Sequence, residues 1–557
     1  MLMHLFTSLI AFLFSLFSTA VISYVAMATP IGPWMEMTLV LMGTIIFRAL
    51  IRHVSATTQM RSLAFATASG GIGGSVAMAC AFSFPTLYFL DPTLFNNWMN
   101  SPLYFCTILA ALVIAAGSFG FLIANHFEKR LLDDPAMIFP IGQMVYNMIA
   151  IQNQLHKAIQ LAAGALSALV YGLLQTFTML MPTRITLLPS IHLSIFNIPL
   201  VITRADMIPM FWAIGFTTGH VIALPLLVAV VARIFLVDPV HVLFFQNLTH
   251  IDYILAFGAG MAIQGALLGM IDMPKVLKKS FSPFKKKITK NILRYASKDA
   301  TQDERIKESD KSTSPFMVSA EHSEVYRTIF LLILPISFLT YFSFSILAQI
   351  YLLLFTVICT YQLLIIAGKL GIAPLGRFAT FVMIPGLLLF GFNALQITFL
   401  ATFVEIAGIV AVDMMFGQKV AQLGSIEHTT MRWYQWLGLI VSALSIGAIF
   451  WILITHFGLG SPELIAARSQ SRALLINAFN FDYLVMMLGF IFSYCLKFIG
   501  VNPTLVFGGL LMGLDTSLML IAGGLSTYLV KNKEEHYPFW SGVYASNSLW
   551  IFIKMLF

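Results

Sequence analysis

Glu405 and Asp413 stand eight residues apart in the apolar run FVEIAGIVAVDMM, and Asp515 sits in another, GLLMGLDTSLML. A charge at membrane depth costs roughly 2.5–3.5 kcal/mol on insertion scales, so an acid kept there needs a return, and carrying a proton is one such return. On a straight helix the eight-residue spacing brings Glu405 and Asp413 within about 80° of one another. Asp413, Glu405 and Asp515 are therefore the candidate proton-coupling residues. The competing use is structural, at solvated helix ends or in hydrogen bonds to nearby Ser and Thr. His220, after Gly219, is a weaker candidate, because a lone His is usually a hydrogen-bonded packing residue.

A second set of residues combines backbone breaks with polar side chains. Phe139-Pro140-Ile141-Gly142-Gln143 occurs in the first half of the chain and Ala373-Pro374-Leu375-Gly376-Arg377 in the second. Proline and glycine free carbonyls and amides from the helical ladder, and in a membrane such groups must line a cavity or a protein interior. After Pro140 and Gly142, the side chains Gln143, Tyr146, Asn147 and Gln154 recur at i, i+3, i+4 and i+11, roughly one helical face. A polar stripe of this kind suits a substrate path, and a loop end at the interface accounts for it equally well. Pro140, Gly142, Gln143, Tyr146, Asn147, Pro374 and Gly376 form the candidate substrate-binding set.

The elements that must hold these residues are helices in a bilayer. Of 557 residues 59% are hydrophobic and 10% charged, and long apolar runs cover 5–27, 62–90, 102–125, 158–181, 207–232, 253–271, 328–368, 378–404, 433–457 and 498–530, the last interrupted only by Asp515. A crossing takes roughly 20 apolar residues, and some of these apolar runs are long enough for two, so an all-α polytopic membrane protein of about 12–16 transmembrane helices is expected. Unbroken apolarity excludes the alternating pattern of a membrane barrel. Residues 5–22 followed by Ala26-Met27-Ala28 loosely resemble a secretory signal, but no Lys or Arg precedes them and a retained first helix is simpler. Cys80, Cys106, Cys359 and Cys495 are scattered singly, with no metal-type or redox-type spacing. The glycine-rich run Ala68–Ser75 suits close helix packing; no P-loop lysine follows it.

Charge divides the chain into 1–272, 273–323 and 324–557. Nine Lys or Arg and no acid fall between Lys275 and Lys298, followed by the polar stretch DATQDERIKESDKSTS. By the positive-inside rule 273–323 is a cytoplasmic loop, and anionic lipid is a sufficient partner for it without nucleic acid. Arg48, Arg52, Arg61, Lys129 and Arg130 agree with a cytoplasmic N-terminus. The segment 183–206 suits an ordered extramembrane or re-entrant piece as well as a span. The paired breaks, with Gly215-xxx-Gly219 and Gly509-xxx-Gly513, indicate two pseudo-repeated halves, although the offsets of 234 and 294 residues differ.

Six ordered motifs resemble the oligopeptide transporter family, which includes the yellow stripe-like carriers of metal chelates. They are ASGGIGGSVAMACAFSFPTLYFL at 68–90, DDPAMIFPIGQMVYNMI at 133–149, GAGMAIQGALLGMIDMPKVLKKSF at 258–281, IAGIVAVDMMFGQKVAQLGS followed by TMRWYQWLGLIVSAL, DTSLMLIAGGLSTYLV at 515–530, and SGVYASNSLWIFIKML at 541–556. Residues 1–60, 183–206 and 273–323 stay unmatched. Asp413 keeps the family's acid, but Phe416-Gly417-Gln418-Lys419-Val420-Ala421 departs from its Gln-Asp-Leu-Lys-Thr-Gly. Ile141 replaces a small or acidic residue, and the second-half Asn-Pro motif is reduced to Ala373-Pro374-Leu375-Gly376. These changes leave the transported molecule open.

The resemblance implies a secondary active transporter of the bacterial inner membrane. It would import short oligopeptides or peptide-like metal chelates by proton symport and alternating access, with the proton as coupling ion and no other cofactor. A homodimer stays open. The alternatives are a channel or an intramembrane aspartyl protease pairing Asp413 with Asp515 or Asp482. Against the protease, Asp515 follows Gly513-Leu514 rather than a Gly-x-Gly-Asp loop, and no His-Glu-x-x-His or Gly-x-Ser-Gly motif exists.

Overall fold

Hydrocarbon gives backbone groups no partner, so apolar segments must satisfy them internally, and the helix does this within a single segment. The computed structural model describes residues 2–30, 32, 34–50, 55–135, 137–150, 155–177, 184–185, 205–250, 252–261, 263–264, 267, 331–370, 373–477, 482–511 and 514–554. The basic loop expected at 273–323 lies outside the described residues.

In chain order the helices are α1 (Leu2–Ala28), α2 (Glu36–Leu50), α3 (Ala56–Ser83), α4 (Thr86–Leu90), α5 (Pro92–Met99), α6 (Pro102–Leu132), α7 (Pro140–Ala150), α8 (Leu155–Phe177), α9 (Pro209–Thr218), α10 (His220–Ala232) and α11 (Asp238–Phe244). A stretch over 252–261 forms α12 and Leu331–Tyr341 forms α13. They are followed by α14 (Ile346–Leu370), α15 (Leu375–Phe390), α16 (Ala394–Leu423), α17 (His428–Phe457), α18 (Ala467–Ile476), α19 (Tyr483–Phe498), α20 (Pro503–Leu511), α21 (Leu514–Ser526) and α22 (Lys533–Lys554).

Among the described residues eight helical segments are long and apolar enough to cross a membrane, and four shorter apolar helices accompany them. The chain is an all-α, multi-pass integral membrane protein. Several runs that read as single long spans are broken in the fold. Gly219, at φ 62° and ψ −144°, separates α9 from α10 within 207–232, a conformation that glycine adopts without a Cβ clash. The ends of 183–206 pair as two-residue antiparallel strands, β1 (Arg184–Ile185) and β2 (Ala205–Asp206), in the register Arg184 with Asp206 and Ile185 with Ala205. The chain therefore leaves and returns side by side there.

Two helices form the centre. In α3 94% and in α16 89% of the apolar stretch is buried, against 22% in α8, which lies at the periphery. Helices from the two sides of 273–323 pack together: α3 and α6 lie against α16 and α17. Small residues make the close approach. A Cβ on Gly73 would lie 2.8 Å from the Ser15 carbonyl oxygen of α1, and the Ser15 and Ser69 hydroxyls meet at 2.9 Å across the same seam. With lipid as apolar as the side chains, such packing and interhelical hydrogen bonds replace the usual hydrophobic drive. The glycine-rich run thus serves the α1–α3 contact, and Gly71 within it also faces the acid of α16.

Candidate functional site

Helix α16 starts from a capping box, in which the Gln396 amide donates to Asn393 Oδ1 at 2.8 Å and the Asn393 amide to Gln396 Oε1 at 3.4 Å. It then runs unbroken to Leu423, so that Glu405 and Asp413 are separated by about 12 Å along its axis. Opposite them α3 carries Ser75 and Ser83, also eight residues apart and in reverse order. Ser75 Oγ donates to Asp413 Oδ2 at 3.1 Å, and Ser83 Oγ donates to Glu405 Oε2. The two acids of one helix thus belong to two different centres.

The Glu405 centre is a buried ion pair. Arg472 Nη2 lies 2.6 Å from Glu405 Oε1, and Arg472 Nη1 donates to Ser83 Oγ at 2.6 Å and to the Phe82 carbonyl at 3.2 Å. The local sequence explains the position of the arginine. Pro85 has no N–H to give the Ala81 carbonyl, so α3 stops and its last carbonyls turn outward. Ser469 Oγ donates to the Phe82 carbonyl at 2.9 Å and to that of Ala81 at 3.4 Å, and with Arg472 it caps the helix end where a cation is favoured. Both come from α18. Ala466 holds this helix in place, with a left-handed backbone at φ 48° and its amide on the Met27 carbonyl at 2.8 Å.

The Asp413 centre is a pair of carboxyl groups. Glu36, the first residue of α2, is buried with its side chain turned to Asp413. Both Glu36 oxygens are enclosed and accept no hydrogen bond from a hydroxyl, amide or cation of another described residue. Gly71 makes the meeting sterically feasible, since a Cβ there would stand 3.2 Å from both Asp413 Oδ2 and Glu36 Cγ. The Asp413 backbone joins a polar column. Its carbonyl and that of Met414 accept from Gln435 Nε2 at 3.4 and 3.1 Å, Gln418 Nε2 donates to Gln435 Oε1 at 3.2 Å, and Gln418 Oε1 lies 2.7 Å from His428 Nδ1. Glu128 closes the column, 3.2 Å from both His428 and Arg432. Gln418 and Lys419, in the stretch that departs from the family's pattern, lie in the last turns of α16.

Between the two centres is a cavity of about 190 Å³. Ile409, four residues from each acid, forms one wall. Trp34 and Gly32 precede Glu36, Met78 and Phe82 come from α3, Ala373 and Leu375 from the second-half proline break, and Arg468 from α18. A larger cavity of about 480 Å³ beside Trp212, Phe216 and Trp540 is apolar apart from Ser526 and His536 and lies away from these charges, so the smaller one is where chemistry can occur.

None of the seven candidate substrate residues lines this cavity, although Ala373 and Leu375, which flank Pro374, do. Pro374 immediately precedes α15, Leu375 lines the cavity, and a Cβ on Gly376 would lie 3.9 Å from Glu405 Oε1. Pro140 opens α7 after Phe139, whose amide donates to the Gly368 carbonyl at 2.7 Å. Gly142 packs on α16, where a Cβ would stand 2.7 Å from the Phe416 carbonyl oxygen. Gln143 and Asn147 are exposed and Tyr146 half-buried, and none of these three lines the cavity. Asp515 lies in α21 and His220 opens α10, but their side chains are outside the described residues. Asp482 caps α19 through the Leu484 and Val485 amides at 2.9 and 3.0 Å, so it is not the partner of Asp413. Glu36, Arg468 and Arg472 were not among the residues singled out by sequence. No group of three metal-binding side chains occurs among the described residues. In comparisons with known proteins, no family model matches the chain and no curated protein matches it.

Proposed function

We propose that the protein is a secondary active transporter that imports a short oligopeptide or a peptide-like metal chelate by proton symport. The observation that carries this reading is the Glu36–Asp413 carboxyl pair, buried one helical turn from Ile409 at the wall of a cavity. Two carboxylates at contact in a medium of low dielectric repel, and a proton held between them removes the repulsion. Counting the neighbouring groups gives three carboxyls, Glu36, Glu405 and Asp413, against two guanidiniums, Arg468 and Arg472. One proton on the pair makes the set neutral. A second proton leaves one positive charge in excess, which an anionic group of the substrate can offset. Proton and substrate then favour each other's binding, the differential affinity that coupled transport requires.

Alternating access would follow from movement of helix groups around this centre, with the breaks at Pro85 and Pro374 as the points where backbone meets the cavity. The carboxyl pair also meets the first requirement of an intramembrane aspartyl protease. Both acids are almost completely enclosed, however, which leaves no room at the pair for a scissile bond and an attacking water. Uptake into proteoliposomes of a tripeptide, a metal chelate and a bare metal ion, each with and without an inward proton gradient, tests the proposal. Gradient-driven accumulation of the tripeptide or the chelate supports it. Passive equilibration of all three would indicate a channel.

A further inference from the structure

We infer that the cavity beside Arg468 is a carboxylate site, taking an anion with a single carboxylate and an adjoining apolar group of about one amino-acid side chain. The inference deepens the transport reading and rests on it for the identity of the complete substrate. Arg468 and Arg472 stand one turn apart on α18, yet among the described residues only Arg472 has its Nη groups paired. Arg472 is held through both Nη groups by Glu405, Ser83 and the Phe82 carbonyl. Arg468 donates Nε to the Pro30 carbonyl at 2.8 Å and lies 4.0 Å over the Phe82 ring. Those contacts fix the guanidinium plane, while its Nη groups donate to no acceptor among the described residues, and the carboxylate whose field they feel, Glu405, is already held by Arg472. A guanidinium held in this way presents the fork that binds a carboxylate in two parallel hydrogen bonds.

The remaining walls decide what accompanies the carboxylate. Trp34, Met78, Leu375 and Ile409 are apolar, and among the described residues no other charged side chain lines the cavity. A free α-ammonium group beside the carboxylate would find no carboxylate side chain among the described lining residues to offset its desolvation. The volume of about 190 Å³ exceeds the roughly 150 Å³ that accommodates benzene in an engineered cavity. The C-terminal residue of a peptide, whose nitrogen is already an amide, fits this chemistry, and so does a free branched monocarboxylate.

Calorimetric titration of the purified full-length protein with isocaproate and isocaproamide tests the site. The acid should bind at least about tenfold more tightly than the amide, because only the acid makes the charge-assisted fork. Arg468→Gln should erase that preference, and Arg468→Lys should restore part of it. If the acid and amide bind the wild type alike, if neither binds, or if Arg468→Gln keeps the preference, the inference is wrong. Should Arg468→Gln fail to fold, the acid and amide on the wild type still decide. Ala-Ala-Leu is then added as competitor. Displacement of isocaproate by the peptide, but not by its C-terminal amide, identifies a peptide end as the occupant. Binding of isocaproate without displacement leaves the carboxylate site standing and counts against the peptide reading.

Discussion

Arg472 lies 2.6 Å from Glu405 although the two residues come from helices on opposite sides of the α17 span, and both are buried. The pair joins the α3 break at Ser83 and Pro85 to α18 and α16, so it holds the wall of the cavity as well as neutralising an acid. Removing one partner of a buried pair strands the other, which typically costs about 3–5 kcal/mol, whereas replacing both by apolar groups is often close to neutral.

Glu405→Leu and Arg472→Met are each expected to destabilise by that amount, and the double variant by clearly less than the two effects added. Denaturation of the purified variants in detergent measures it. Additive losses would mean that the ion pair does not exist as described.

Filling the cavity separates its role from that of the charges. Ile409→Trp should abolish substrate binding while costing about 1–3 kcal/mol of stability from overpacking. Asn147→Leu, on the exposed face of α7, should leave affinity unchanged. Binding and melting temperature measured on the same preparations distinguish blockage from misfolding. A loss of affinity in Asn147→Leu with intact binding in Ile409→Trp would move the substrate path to α7.

Outside the spans, Asp91 caps α5. The Leu94 amide donates to its Oδ1 at 3.0 Å and the Thr93 hydroxyl at 2.7 Å, and in that order these bonds hold its carboxyl below the ordinary aspartate value. A group with a depressed folded-state value contributes stability above its unfolded value and loses it as pH falls through the folded one. Asp91→Ala should therefore lower stability by about 1 kcal/mol at neutral pH, and the difference should shrink in acid below the carboxylate range. Melting temperatures of both proteins across that range check the sign, which a difference growing in acid would reverse.

The sequence exposes Glu405 and Asp413 because a charge within a long apolar run is an anomaly in itself. Glu36 escapes notice for the opposite reason: an acid in the first turn of a helix after TPIGPWM is an ordinary helix start. Arg468 and Arg472 sit in SPELIAARSQSRALL, which reads as a polar connection, and only the docking of α18 on the carbonyls freed by Pro85 buries Arg472 and brings Arg468, half-buried, to the cavity. Helical spacing correctly groups Gln143 and Asn147, but it cannot say what that face meets, and Gly142 turns another face of α7 to α16. Long apolar runs reveal helices without revealing breaks, which depend on single residues such as Gly219 and on the tertiary contacts around them.

The central claim is that the Glu36–Asp413 pair carries the coupled proton. The most direct measurement is accumulation of Ala-Ala-Leu in proteoliposomes under an imposed proton gradient, beside counterflow exchange without one, for the wild type, Glu36→Gln and Asp413→Asn. Each variant is expected to lose gradient-driven accumulation while retaining exchange, because the cavity and Arg468 remain but the site that takes the proton does not. Normal gradient-driven accumulation by both variants would contradict the account and leave the pair a structural feature of the α2–α3–α16 contact.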